Sequence, residues 1–190
     1  DDNYTTDLSG PSKELEESSS TLLFAFILAL LLVYLILSAQ FESFKDPLII
    51  MLTVPLALAG AILALWYTDS TLNIFSQIGI IVLVGIVTKN GIVIVEFANQ
   101  RKEEGLSTID AVKDAAVSRL RPILMTSLAT VLGALPIALA LGAASSSRVS
   151  MGIAIIGGLM FSLILTLFVI PALYTYMSGH TKPIATDLNY

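Results

Sequence analysis

Five long apolar runs constrain this chain more than any other feature of its sequence. Crossing the hydrocarbon layer of a bilayer takes about 20 mostly apolar residues in one helix. The runs have about that length, at 21–39, 47–67, 72–97, 122–141 and 151–177. Soluble domains are roughly a quarter charged residues, whereas this chain has 13% charged residues and a mean hydropathy of +0.84. The pattern predicts an all-α membrane protein with a bundle of five transmembrane helices.

Charge and motifs exclude several classes of function. The formal net charge of -5 arises within residues 1–20, and the remainder of the chain is neutral. No basic stripe typical of a nucleic-acid partner is present. Because the chain has no cysteine and its single histidine, His180, lies near the C-terminus, we expect no metal site, no cofactor and no hydrolytic enzyme.

Basic residues predict the orientation, because lysine and arginine in short loops are retained on the cytoplasmic side. One side of the membrane receives only Lys13 and Arg148. The other side receives Lys45, Arg101, Lys102, Lys113, Arg119, Arg121 and Lys182. We therefore expect residues 1–20 outside and a tail, 179–190, in the cytoplasm.

Two segments between the runs show helix signals. Ser107 followed by Asp110 resembles a capping box, and apolar residues recur at helical spacing across 100–121. This pattern predicts a separate amphipathic helix along the cytoplasmic membrane surface. Asp46 before Pro47 predicts an N-cap and a first-turn proline for the second span.

Lys89 is the most informative residue, because it lies midway along the third run, where an unpaired ammonium costs several kcal/mol. A functional ion pair competes with a harmless lysine whose long stem reaches the interface, and the depth favours the ion pair. Glu96 lies two turns away on the same face, about 10 Å along the helix, and is equally compatible with an interfacial position. No Asp lies inside a run, so we expect the counter-charge from protein outside this sequence.

Other polar residues are candidates to extend a polar line from Lys89. Asn90 is its neighbour, and Thr126 and Ser127 lie near the start of the fourth run. Thr and Ser in membrane helices often bond their own backbone instead. Arg119 and Arg121 mark the membrane border, where anchoring to lipid headgroups is the simpler interpretation.

The motifs themselves resemble a known family. The strings GIVTKNGIVIVEFANQR (85–101) and RLRPILMTSLATVLGALPIAL (119–139) resemble the resistance-nodulation-division (RND) transporters, in the hydrophobe/amphiphile efflux branch. The resemblance continues through QFESFKDPLIIMLTVPLALAG (40–60) and GGLMFSLILTLFVIPALY (157–174). It implies the last five of twelve membrane helices, with 1–20 as the end of a periplasmic domain and 21–178 as the membrane domain.

The resemblance also implies partners and residue roles. It implies a homotrimer in the bacterial inner membrane that works with a periplasmic adaptor protein and an outer-membrane channel. Lys89 matches a lysine that pairs with two aspartates in the missing N-terminal half, and Asn90 is its polar neighbour. Arg119 and Thr126 match residues of the proton path.

The predicted function is therefore proton-driven efflux of drugs or other amphiphilic molecules by antiport, with this chain as the C-terminal membrane portion. An RND metal exporter is one alternative, although the five methionines are scattered rather than aligned along a path. A truncated or structural membrane subunit that does not transport is another.

Overall fold

The structure, a computed structural model, describes residues 11–140 and 148–178. These residues form six helices: α1 (Pro11–Phe41), α2 (Lys45–Met51), α3 (Thr53–Tyr67), α4 (Ile74–Glu103), α5 (Thr108–Ala138) and α6 (Val149–Ser178). Five segments are long and apolar enough to cross a membrane, with α2 and α3 together making one of them. The predicted all-α membrane fold with five such segments is confirmed. The expected tail, 179–190, lies outside the described residues, as does the first half of 1–20.

The bundle is organised around α6, which packs against α3, α4 and α5. Helix α1 lies at the edge and contacts α2 and α4. Almost none of its apolar stretch is buried within this chain. In a membrane such side chains meet lipid or another protein segment.

Helices α3 and α6 approach each other closely through glycines. Gly60 of α3 faces Gly157 of α6, and a Cβ at Gly60 would lie 3.0 Å from the Gly157 carbonyl oxygen. A Cβ at Gly157 would collide with the Cβ of Ala64. Small residues let membrane helices approach closely and gain dispersion contacts, so these glycines determine how near α3 lies to α6.

The second spanning segment is broken into two helices at Leu52. The hydroxyl of Thr53 donates to the carbonyl of Ile50 at 2.7 Å, and Pro55 supplies no backbone N–H for the preceding turn. Both features interrupt the regular helical hydrogen bonds, which explains a short α2 followed by α3.

The prediction that Asp46 caps the second span is wrong. Helix α2 begins at Lys45, and its N-cap residue is Phe44. The hydroxyl of Ser43 accepts from the Lys45 amide at 3.2 Å, so a serine just before the helix binds the first free N–H. Asp46 lies inside the first turn, where its carboxylate is free to reach another helix.

The amphipathic segment is not a separate helix, which corrects the expectation for 100–121. Residues 100–103 complete α4, and α5 runs from Thr108 through Pro122 to Ala138. The buried residues of α5 lie on both sides of Pro122: Ala111, Val112 and Ala115 before it, and Ile123, Ser127 and Ala134 after it. Helices α4 and α6 pack against α5, and because neighbouring membrane helices re-satisfy the backbone groups that a proline frees, the helix continues across Pro122. The predicted cap is confirmed, since Ser107 Oγ accepts from the Asp110 amide at 3.2 Å.

Candidate functional site

A groove between α4 and α5 brings together Lys89, Asn90 and Thr126, three of the four residues to which the family resemblance gives a role. Its volume is about 200 Å³. Its lining includes Gly85, Lys89 and Asn90 of α4 with Thr126, Ser127 and Thr130 of α5. A polar lining is costly on a helix bundle surrounded by lipid, so this groove is the candidate functional site.

Lys89 is exposed at this groove, on a helix whose buried residues are apolar apart from Ser76, Thr88 and Asn90. Lys89 makes no ion pair with any side chain that the structure describes. Glu96 is also exposed and makes no ion pair within residues 11–140 and 148–178. The charge of Lys89 therefore faces outward from this part of the chain, available to a group on another segment.

Asn90 points the other way, into the bundle. Its Nδ2 donates to Ser127 Oγ at 3.2 Å, and only 6% of Asn90 and 2% of Ser127 are exposed. An amide and a hydroxyl are both uncharged, so this is a neutral hydrogen bond between two helices. It ties α4 to α5 beside Lys89.

Thr126 lies at the groove but its hydroxyl is directed to its own helix. The Oγ1 atom is 3.1 Å from the Pro122 carbonyl and 3.2 Å from that of Ile123, both as acceptors. A hydroxyl that donates to the backbone still has lone pairs. Thr126 therefore offers an acceptor to the groove, and the backbone bond expected as one alternative is present.

Arg119 lies away from the groove. It precedes Thr126 by seven residues, about 10 Å along α5, and its guanidinium carbon is 4.4 Å from the centroid of the Phe97 ring. Arg101 approaches the same ring at 4.9 Å. The buried Nε of Arg119 has no hydrogen-bond partner within the described ranges. The structure thus joins Arg119 to Phe97 rather than to Lys89.

Arg101 is neutralised locally, unlike Arg119. Its Nη1 lies 2.6 Å from Glu104 and its Nε lies 2.7 Å from Asp114 of α5. The Nε geometry is that of an ion pair without a well-aligned hydrogen bond. This pair links the end of α4 to the start of α5.

Sequence reasoning missed several polar contacts. Thr130 was not singled out, although it lies one turn after Thr126 and its hydroxyl donates to the Thr126 carbonyl at 2.8 Å. The i+4 spacing was the available signal. Asn99 and Tyr174 were also missed. Their hydrogen bond joins residues 75 positions apart, so no local sequence pattern predicts it.

Comparison with known proteins identifies the family. Residues 2–178 match the family described as AcrB/AcrD/AcrF. The chain is 43% identical over 188 residues to an uncharacterized transporter of Haemophilus influenzae, covering 95% of this chain and 18% of that protein. It is 42% identical over 170 residues to the multidrug resistance protein MdtC of Erwinia tasmaniensis, covering 89% of this chain and 17% of MdtC.

The chain therefore spans less than a fifth of the length of either relative. The family match, by contrast, extends over nearly all of this chain. The motifs around Lys89 and Thr126 lie inside the matched region. The chain belongs to the AcrB/AcrD/AcrF family, within the RND transporters that its sequence resembles.

Proposed function

We propose that this chain is the C-terminal membrane portion of a proton-driven RND transporter that exports drugs or other amphiphilic small molecules by antiport. The observation that carries the proposal is the position of Lys89, exposed on an apolar helix without an acidic partner among the described residues. The similarity to the multidrug resistance protein MdtC of Erwinia tasmaniensis supports drugs as the exported class.

The partner of Lys89 in this proposal is a carboxylate on a companion half of the transporter. A lysine in hydrocarbon is stabilised by an ionised carboxylate at short range. When the carboxylate takes up a proton its charge is lost, so the attraction to Lys89 disappears and the two helices are free to separate. Each proton thus alternates the bundle between two packings.

Neighbouring residues support this cycle in different ways. Asn90 holds α4 to α5 through Ser127, while Thr126 presents an acceptor at the groove. Arg119, about 10 Å from Thr126, is proposed to keep the end of the proton path positive. Its competing role is to bind lipid headgroups, to which an unneutralised arginine at a membrane border is also suited.

Family membership also supports a setting for this proposed function. We place the transporter in the bacterial inner membrane as a homotrimer, with the start of this chain periplasmic and its C-terminus cytoplasmic. A periplasmic adaptor protein and an outer-membrane channel would complete the export route. The loops that carry most of the basic residues then face the cytoplasm.

The test is drug-dependent proton flux in proteoliposomes that contain the complete transporter. Lys89→Met should insert normally, because removing a charge makes insertion easier, but should abolish both drug export and proton influx. Lys113→Met, at an exposed position of α5, is the matched control and should transport normally. Wild-type flux in Lys89→Met would eliminate the proposal.

The wild-type transporter distinguishes the alternative functions in the same assay. Proton flux that depends on metal ions instead of drugs would favour a metal exporter, and no flux with either substrate would favour a structural subunit.

A further inference from the structure

Helix α4, which carries Lys89, is hydrogen-bonded to α6 near both of its ends. At the start of α4, Asn73 Oδ1 accepts from Ser150 Oγ at 2.8 Å and from the Ser76 amide at 2.9 Å. Ser150 is buried, with 5% of its surface exposed. One asparagine thus caps α4 and joins it to the first turn of α6.

A second asparagine makes the corresponding contact at the other end. Asn99 Oδ1 accepts a hydrogen bond from the hydroxyl of Tyr174 on α6. Asn99 Nδ2 donates to Asp46 Oδ2 of α2 at 3.0 Å. Tyr174 is 1% exposed, and Lys102 Nζ lies 5.5 Å from the centroid of its ring. We call Asp46, Asn99 and Tyr174 the clasp.

Within the clasp, the side-chain amide of Asn99 has one favourable orientation. An ionised carboxylate accepts hydrogen bonds and donates none, so only the NH₂ group of Asn99 suits Asp46. The amide oxygen of Asn99 is then directed at Tyr174, whose hydroxyl donates to it. Rotating the amide by half a turn would place two acceptors against each other at Asp46. The carboxylate therefore orients Asn99, and Asn99 orients the contact with α6.

The two contacts are nearly equally spaced on the two helices. Residues 73 and 99 are about 39 Å apart along α4, and residues 150 and 174 are about 36 Å apart along α6. Parallel helices joined at both ends with matched spacing resist sliding and rotation against each other. Lys89 lies between the two contacts and has no partner of its own in the described ranges, so the α4 backbone sets its position.

We propose that Asp46, Asn99 and Tyr174 are positioning residues for Lys89. They fix the rotation and height of α4 relative to α6, on which α5 also packs, and so set both the register of α4 against α5 and the place at which the lysine meets its carboxylate. The consequence for transport rests on the proposed function, whereas the consequence for helix position does not. Loss of the Tyr174 hydroxyl releases one end of α4 while the buried ring keeps its packing.

The first experiment measures helix position directly. Cysteines replace Asn90 and Ser127 in the complete transporter, with any native cysteines removed, because these side chains approach to 3.2 Å across α4 and α5. The rate of disulfide formation is followed after addition of an oxidant. Adding Tyr174→Phe or Asn99→Ala should slow this rate several-fold, and combining them should slow it no further.

The control is Tyr176→Phe, which removes a hydroxyl from an 87% exposed tyrosine on the same helix, and it should leave the rate of disulfide formation unchanged. An unchanged rate in Tyr174→Phe would overturn the positioning role.

The second experiment measures the pH dependence of drug-dependent proton flux in Tyr174→Phe and Asn99→Ala, with Lys89 intact. If the lysine is displaced from its carboxylate, that carboxylate gains its proton more easily, so the midpoint of flux should move by about half a pH unit to higher pH. Asp46→Asn keeps an acceptor for Asn99 and should shift the midpoint less than Asp46→Ala. A fall in folded protein with an unchanged midpoint would make the clasp structural only. Wild-type flux in Lys89→Met would defeat the proposed function, and the cross-linking rate would still decide the clasp.

Discussion

Asn90 of α4 donates an amide hydrogen to Ser127 Oγ of α5 across 3.2 Å, inside the bundle. Each of these residues is the chain neighbour of a residue at the groove, Lys89 and Thr126. The bond therefore fixes the separation of the two helices at the depth of the lysine. Substitutions at this bond test packing, while substitutions at its neighbours test transport.

Removing the Ser127 hydroxyl should lower the stability of the bundle. Ser127→Ala leaves the Asn90 amide without its acceptor, and we expect a loss of about 1 kcal/mol in the free energy of unfolding. Reversible unfolding in detergent by added denaturing surfactant measures this loss. Ser118→Ala, at an exposed serine of the same helix, should change stability by less than about 0.5 kcal/mol. Equal effects at the two serines would contradict the prediction.

Lys89→Arg and Thr126→Ala should impair transport to different degrees. Arginine keeps the charge, but its planar head is larger than an ammonium and fits a compact lysine site badly, so flux should fall strongly. The Thr126 hydroxyl already donates to its own backbone, and its loss removes only an acceptor, so flux should fall less. Drug-dependent proton flux at matched protein levels ranks the two variants. A greater loss in Thr126→Ala would reverse their proposed importance.

Adding a methyl group at Gly157 should destabilise the contact between α3 and α6. A Cβ there would collide with Ala64, and overpacking of this kind costs about 1–3 kcal/mol. Gly133 of α5 has nothing within 4 Å of an added Cβ, so Gly133→Ala is the matched control and should leave the thermal midpoint nearly unchanged. Similar thermal midpoints for the two variants would show that α3 and α6 are packed less closely at Gly157 than the structure indicates.

A companion half should stabilise this chain through Lys89. Expressed alone, the chain carries an exposed lysine on an apolar helix, which costs several kcal/mol if it stays charged and unpaired in hydrocarbon. Co-expression with the N-terminal half should raise the thermal midpoint. The rise should be smaller for Lys89→Met, because that variant has no charge to be neutralised. Equal rises for both proteins would assign the stabilisation to other contacts.

Opposite ends of α4 should face opposite sides of the membrane. Thr71 lies just before α4 and Ser107 just after it, and both are exposed. A cysteine at Thr71 in the complete transporter should react with an impermeant reagent in intact cells, whereas a cysteine at Ser107 should react only after the membrane is opened. Labelling of Ser107 in intact cells would reverse the orientation that the basic residues predict.

Several features were readable from local pattern. The five apolar stretches predicted the number of spanning segments, because the length and apolarity of a helix decide whether it suits a bilayer. The cap at Ser107 was predictable because it depends on residues three positions apart. The special status of Lys89 followed from the cost of a charge in hydrocarbon, which needs no knowledge of neighbours.

Other features depended on contacts between distant residues. Pro122 looked like the start of a span, but α5 buries residues on both sides of this proline, from Ala111 to Ala134, and packing against other helices keeps the helix continuous. Arg119 shared a motif with Thr126, yet its ring contact with Phe97 separates it from the groove. Side-chain direction depends on helix rotation, which only packing determines.

The sequence by itself determined that this chain is a bundle of membrane helices with one costly charge in its third apolar run, because hydrophobic length and charge burial are properties of single segments. Only the tertiary structure decided that Asn90 joins Ser127 and that Asn99 joins Tyr174 and Asp46. These bonds connect residues 37, 75 and 53 positions apart. A hydrogen bond acts over about 3 Å, so partners so distant along the chain are defined only when the helices are packed.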